Sequence, residues 1–326
     1  MTDVSLQGPA AVVLIRPSHF APNPCTSVDN AFQSVDSSRD AATIAHDAYA
    51  EVTALADQLR EAGIVVHLFE SEEVSGPDSV FPNNWLSTHA GGQVAIYPMH
   101  SPSRRQERRA DIVEMLKQRY RVQDVTDYSG LEHDGMFLEG TGAMVLDHRE
   151  RVAYAARSHR ANPLALERFC SRFNYESMVF DATDRAGRQI YHTNVMMCIA
   201  SQFALIGLDL IEDVARREDV VESLEGSGRE IIALTHEQIH DFAGNAIELQ
   251  SPSGRLLVIS RRALRSLTGE QVAVIERSCT ILAADVPTIE LAGGSVRCMI
   301  AGIHLTARPA RRIAEGALAL TGTATA

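Results

Sequence analysis

An α/β ring of five strand–strand–strand–helix units is the fold this sequence predicts, and three observations predict it. Polar residues set in Asn- or Gly-containing turns recur at Asn84, Glu139, His192, Asn245 and Cys298, at intervals of 55, 53, 53 and 53 residues. Five amphipathic stretches alternate with these positions, and each leads into a short apolar run of strand length. The 326 residues are 45% hydrophobic and 22% charged, enough apolar content to bury such a repeat. Residues 1–326 therefore read as a single domain of five pseudo-repeats.

Each element has its own justification. Val12 to Arg16 is an apolar run with no helix before it, so it is expected to close the ring by joining the last unit. From Asp40 to Glu61, Ile44, Ala48, Val52, Leu55 and Leu59 recur at helical spacing, and Ile64 to Phe69 follows as a strand. The second unit places strands after Asn84 and at Gln93 to Tyr97, a helix over Ser103 to Tyr120 and a strand over Arg121 to Val125. The third runs from Glu139 through Arg151 to Ala155, helix Pro163 to Phe173 and strand Ser177 to Phe180. The fourth runs from His192 through Phe203 to Gly207, helix Ile211 to Leu224 and strand Glu230 to Leu234. The fifth runs from Asn245 through Leu256 to Ile259, helix Gly269 to Arg277 and strand Thr280 to Ala283, and ends at Cys298. A C-terminal helix from Ala307 is expected to cap the outside. In such a ring the five polar positions meet at one end of a central channel. A doubly wound parallel sheet leaves the equal intervals unexplained.

Composition narrows the function. A net charge of -12 argues against a nucleic-acid surface. The cluster Arg104, Arg105, Arg108 and Arg109 is interleaved with acids on an expected helix and reads as a solvated face. Met1 to Ala10 lacks a basic n-region, and no apolar run approaches membrane-spanning length. Five scattered cysteines (Cys25, Cys170, Cys198, Cys279 and Cys298) form neither a disulfide framework nor a zinc knuckle, which suits a reducing cytoplasm. The single lysine, Lys117, lies on an expected helix and argues against Schiff-base chemistry. Gly140-Thr141-Gly142 lacks the third glycine and the following helix of a phosphate loop. Histidine and acid pairs are too sparse for a metal centre, so neither a metal nor a cofactor is expected.

Taken singly, Cys298 reads as a buried strand cysteine, His192 as a core or capping residue and Glu139 as a strand-end charge. Their shared repeat position changes that reading. A cysteine beside a cation such as Arg297, a histidine for proton transfer and a glutamate to orient it can attack a planar carbon bearing nitrogens. The thiolate adds to that carbon, and His192 protonates the departing amine and then deprotonates water.

These residues, with Arg16-Pro17, Asn23-Pro24, Asn30-x-Phe32-Gln33, Phe81-Pro82-Asn83-Asn84-Trp85, Glu139-Gly140-Thr141-Gly142, His192-Thr193-Asn194 and Gly293-Gly294-Ser295-x-Arg297-Cys298, resemble the pentein, or arginine deiminase and amidinotransferase, superfamily. Within it they are most similar to the arginine-deiminase-related citrulline-utilisation hydrolases. The resemblance implies a five-bladed α/β propeller, no cofactor and a covalent intermediate on Cys298. Asn84 and Asn194 stand where arginine deiminases carry guanidinium-gripping aspartates. Losing two charges there disfavours a cation and points to a neutral ureido group, as in citrulline. A guanidine deiminase or dihydrolase, an amidinotransferase and a silent ligand-binding pentein are the alternatives. Arg160 resembles the arginine that meets a substrate carboxylate, with Arg297 second, and Asn23 and Asn245 are further candidates for ligand contact. The expected partner is a small amino-acid substrate, and a homo-oligomer is left open.

Overall fold

Five βαβ crossovers organise the chain, seen in a computed structural model that describes residues 7–26, 30–72 and 76–309. In chain order the strands are β1 (Ala11–Arg16) and β2 (Val65–Glu70); β3 (Leu86–His89), β4 (Gln93–Ile96) and β5 (Asp124–Asp127); and β6 (Val145–Asp147), β7 (Val152–Ala156) and β8 (Glu176–Phe180). Then come β9 (Met197–Ile199), β10 (Phe203–Ile206) and β11 (Glu230–Ala233); β12 (Ile247–Ser251), β13 (Gly254–Ser260) and β14 (Thr280–Ala284); and β15 (Ala301–Gly302). They form five three-stranded sheets among the described residues. In each, one edge strand pairs antiparallel with the middle strand, and the other pairs parallel with it across a helix. The fifth sheet joins the two ends of the chain, because β15 pairs antiparallel with β1, Val12 opposite Gly302. This is the closing contact the lone opening strand predicts.

The crossover helices are α1 (Ala41–Glu61), α2 (Ala110–Arg119), α3 (Pro163–Phe173), α4 (Val214–Gly226) and α5 (Gly269–Glu276). In α1, Asp40 caps the N-terminus by accepting a hydrogen bond from Thr43 N at 2.8 Å. Its buried stripe, Ile44, Val52, Leu55 and Leu59, packs with Val12 and Leu14 of β1. Burial of each such side chain stabilises by about 1.5–3 kcal/mol. In α3, Pro163 sits at the first turn, where its missing N–H is harmless, and Asn162 Oδ1 accepts from Leu164 N and Ala165 N.

Two expectations change. The single helix foreseen over Ser103 to Tyr120 is broken. A 3₁₀ segment, Pro102–Glu107, is followed by extended backbone at Arg108 and Arg109 before α2 begins. The break turns Arg104 inward, to 2% exposure, so it is no part of a solvated face, and Arg109 is also buried. The repeat positions also do not open strands directly. Asn84, Glu139, His192 and Cys298 each belong to or cap one helical turn just before a first strand, and Asn245 lies in the turn before β12. Of the expected C-terminal helix, Ala307 instead bridges Tyr120, and residues 310–326 lie outside the described residues.

First strands lie beside one another, β3 next to β15, β6 next to β9 and β9 next to β12. All five contribute to the lining of one polar cavity. No helix among the described residues is long and apolar enough to cross a membrane.

Candidate active site

At one end of the first strands, the helical turns bring the repeat residues together. Asn194 Nδ2 and Asn245 Nδ2 each donate to Cys298 Sγ at 3.3 Å. Asn245 is fixed in turn, donating to Asn194 O at 2.9 Å and accepting from Arg297 N at 3.1 Å. Two amide N–H donors thus converge on the sulfur and fix its position. The approach needs glycine: a Cβ on Gly294 would lie 2.9 Å from the Phe81 ring and 3.2 Å from Cys298 Cβ.

His192 Nε2 lies 2.8 Å from Glu139 Oε2, both buried. Glu139 Oε1 accepts from His100 N at 3.0 Å, which fixes the carboxylate plane. Burial alone pushes the Glu139 carboxyl up. Arg160, the His192 hydrogen bond and Arg104 overcome that and hold it well below the usual carboxylate range. Burial lowers His192, and Glu139 opposes the shift. The pair is thus an ionised carboxylate on a neutral imidazole. Gly142 makes room for it, since a Cβ there would meet Asn84 Nδ2 at 2.3 Å and the His192 ring at 2.9 Å.

The sequence reading missed three members of the site, Asp78, Arg104 and Glu107. Arg104 forms a fork–fork pair with Glu107, Nε to Oε1 at 3.0 Å and Nη2 to Oε2 at 2.8 Å. Its Nη1 donates to Asn84 Oδ1 at 3.0 Å and lies 3.6 Å from Glu139 Oε2, while Nε lies 3.6 Å from Asp78 Oδ2. Burial disfavours the Arg104 charge, but Glu107, Asp78 and Glu139 outweigh it and raise the group further. Asp78, 4% exposed, lines the same small cavity as Asn84, Arg160, His192 and Cys298. Burial pushes the Glu107 carboxyl up to about 8, and the Arg104 guanidinium opposes that shift. A signal existed: Pro77-Asp78 opens a 3₁₀ turn just before the quoted Phe81-to-Trp85 motif.

The remaining expected residues fall into place as follows. Arg160 is buried, its guanidinium 5.0 Å above the Tyr191 ring and Nη1 3.5 Å from Glu139 Oε2. Tyr191 OH donates to Gly293 O at 2.6 Å, tying the histidine and cysteine turns together. Asn23 Nδ2 donates to Asp78 Oδ2 at 2.8 Å and its Oδ1 accepts from Cys25 N, so its amide holds Asp78. Asn245, expected against the ligand, lies beneath the sulfur. Arg297 is not in this cavity. Its side chain donates to Ile300 O and lines the separate cavity between the first strands. The backbone of a one-turn helix, Val296–Met299, sends consecutive side chains to different sides.

Comparison with known proteins agrees with this architecture. Residues 16–305 match the eukaryotic N,N-dimethylarginine dimethylhydrolase family. No curated protein sequence matches the chain. Among solved structures, the N-terminal domain of ArgZ, a cyanobacterial arginine dihydrolase, superposes with a TM-score of 0.67 at 16% identity, covering 90% of this chain and 99% of that one. AgrE gives 0.70 at 17% identity, over 92% of this chain but 40% of its own length. A dimethylarginine dimethylaminohydrolase gives 0.59 at 13% identity, over 89% and 98%. At these identities the structural likeness is one of fold. The family match covers nearly the whole chain, and the chain belongs to the N,N-dimethylarginine dimethylhydrolase family of the pentein superfamily, as a C–N hydrolase.

Proposed function

We propose that the protein hydrolyses the guanidino group of arginine or an arginine derivative through a covalent thiouronium intermediate on Cys298. The Asp78 carboxylate carries the proposal, because it supplies the cavity with a buried negative group suited to a guanidinium. The family match and the arginine dihydrolase and dimethylarginine hydrolase neighbours support the same substrate class.

The Cys298 thiol gives its proton to His192 as Sγ attacks the guanidino carbon, and the tetrahedral adduct expels ammonia or an alkylamine that leaves with that proton. A water then loses a proton to His192, adds to the same carbon and displaces the thiolate, giving the ureido product. Glu139 stabilises the imidazolium that forms transiently within each step. Arg104, held by Glu107, fixes the Asn84 amide. Arg160 is our candidate for the substrate carboxylate.

A second reading, cleavage of the ureido group of citrulline to ornithine, carbon dioxide and ammonia, is favoured by one observation. Asn84 Nδ2 and Asn194 Oδ1 are buried without partners, offering a donor and an acceptor together. The test is to incubate the protein with L-arginine, Nω,Nω-dimethylarginine, agmatine and citrulline, and to quantify ammonia, alkylamine, citrulline and ornithine. Guanidine turnover that vanishes in Cys298→Ser supports the first reading. Turnover of citrulline alone transfers the case to the second.

We further propose that the five sheets close as a five-bladed α/β propeller forming one domain over 1–326, located in the cytoplasm. The shared lining of the central cavity and the β15–β1 pairing support the ring. The free thiols support the location.

A further inference from the structure

The cavity between the first strands lies on the other side of the Cys298 turn from the substrate cavity, and the proposed reaction makes no use of it. It offers about 50 Å³, room for a small ion and a few waters. Arg297 reaches into it with a guanidinium that has one protein acceptor, Ile300 O at 3.0 Å, and no carboxylate within ion-pair distance among the described residues. A guanidinium withdrawn from bulk water without a counter-charge is strongly destabilising.

One acid, Glu248, lines the cavity itself, and its carboxylate, like that of Asp147 behind it, is bound to other groups. Glu248 accepts from Ser201 N at 2.9 Å and Ser201 Oγ at 2.5 Å, and Asp147 is paired with Arg229 at 2.5 Å. Two imidazoles complete the wall. His304 stacks on His148 with centroids 3.9 Å apart, and Tyr175 OH holds His148 Nδ1 at 2.9 Å. Burial, then Arg297, pushes His304 down to about 4, so both rings stay neutral and add no second cation.

We propose that this cavity binds a small inorganic monoanion of the halide class, with Arg297 as its counter-charge and the stacked His148 and His304 at its side. The site is independent of the substrate assignment.

The test uses the full chain in sodium chloride or bromide against sodium gluconate at matched ionic strength, gluconate being too large to enter. Halide is expected to raise the melting temperature by a few degrees and to saturate, and Arg297→Leu removes that increment. Crystals grown in bromide should show an anomalous peak beside Arg297. Equal melting in halide and gluconate, or bromide peaks only elsewhere, overturns the proposal. Should Arg297→Leu fail to fold, His304→Leu weakens halide half-saturation if the site is real and leaves it unchanged if it is not.

Discussion

Replacing Asp78 with asparagine separates the two substrate readings by charge alone, because the side-chain shape is kept. Asp78 is almost fully buried and lines the cavity with Cys298, and its nearest counter-charge is Arg104 Nε at 3.6 Å. A cation about 4 Å from this carboxylate gains about 4 kcal/mol at an effective dielectric of about 20. Arg104 already neutralises part of that field, so about 3 kcal/mol is the expected loss, or roughly 100-fold in kcat/KM. A neutral ureido substrate should change by less than about threefold. The assay is kcat/KM for arginine-class guanidines and for citrulline on the same preparations, with melting temperatures recorded because Asp78 also holds Asn23 and Arg104. The ratio of the two specificities is independent of the fraction folded. An unchanged ratio in Asp78→Asn refutes the assignment of Asp78 to a guanidinium.

Three further outcomes follow from the geometry. Gly142→Ala forces a methyl to within 2.3 Å of Asn84 Nδ2 and 2.9 Å of the His192 ring, so kcat should fall by about 100-fold with about 1–3 kcal/mol of stability, read by initial rates and denaturant melts. Asn245→Ala removes one donor to Cys298 Sγ and leaves Asn194 O and Arg297 N unpaired. It should lower kcat and reduce stability by about 1–3 kcal/mol, and an unchanged kcat would count against the amide cradle. Glu139 and His192 both titrate lower in the folded chain than their ordinary values of 4.5 and 6.5. The folded state therefore binds fewer protons than the unfolded one. Their stabilisation is full above about pH 6.5 and is lost as pH falls, through His192 first and Glu139 later. Melting temperatures from pH 7 to about pH 2 should drop in that order, and Glu139→Gln should remove the part of the fall below about pH 4.5.

The unit structure was legible because period is a property of sequence. Ile44, Val52, Leu55 and Leu59 mark α1 by spacing, and the 53-residue interval marks where each unit begins. Strand pairing within a unit follows from short connections, as in β3 and β4, which a turn joins at Gly91 and Gly92 with φ of +86° and +85°. The break before α2 was not legible. Pro102 is compatible with the first turn of a regular helix, and only the burial of Arg104 against Glu107, Asp78 and Asn84 explains why the chain bends there.

The same limit accounts for the charge argument. The resemblance to arginine deiminases puts Asn84 and Asn194 at guanidinium-gripping aspartate positions, and on that ground a cation is disfavoured. The structure gives both amides other work. Asn194 donates its N–H to the Cys298 sulfur at 3.3 Å, a bond that a carboxylate, with no hydrogen to donate, could not make. Asn84 turns its Oδ1 to Arg104, which is itself neutralised by Glu107. Neither substitution therefore reports on the charge of a substrate. That information lies in Asp78, six residues before Asn84 and off the repeat register, whose carboxylate reaches the cavity because Asn23 and Arg104 hold it there. Substrate charge in this fold follows from all the buried groups of the cluster together, on and off the repeat register, and not from one position per unit.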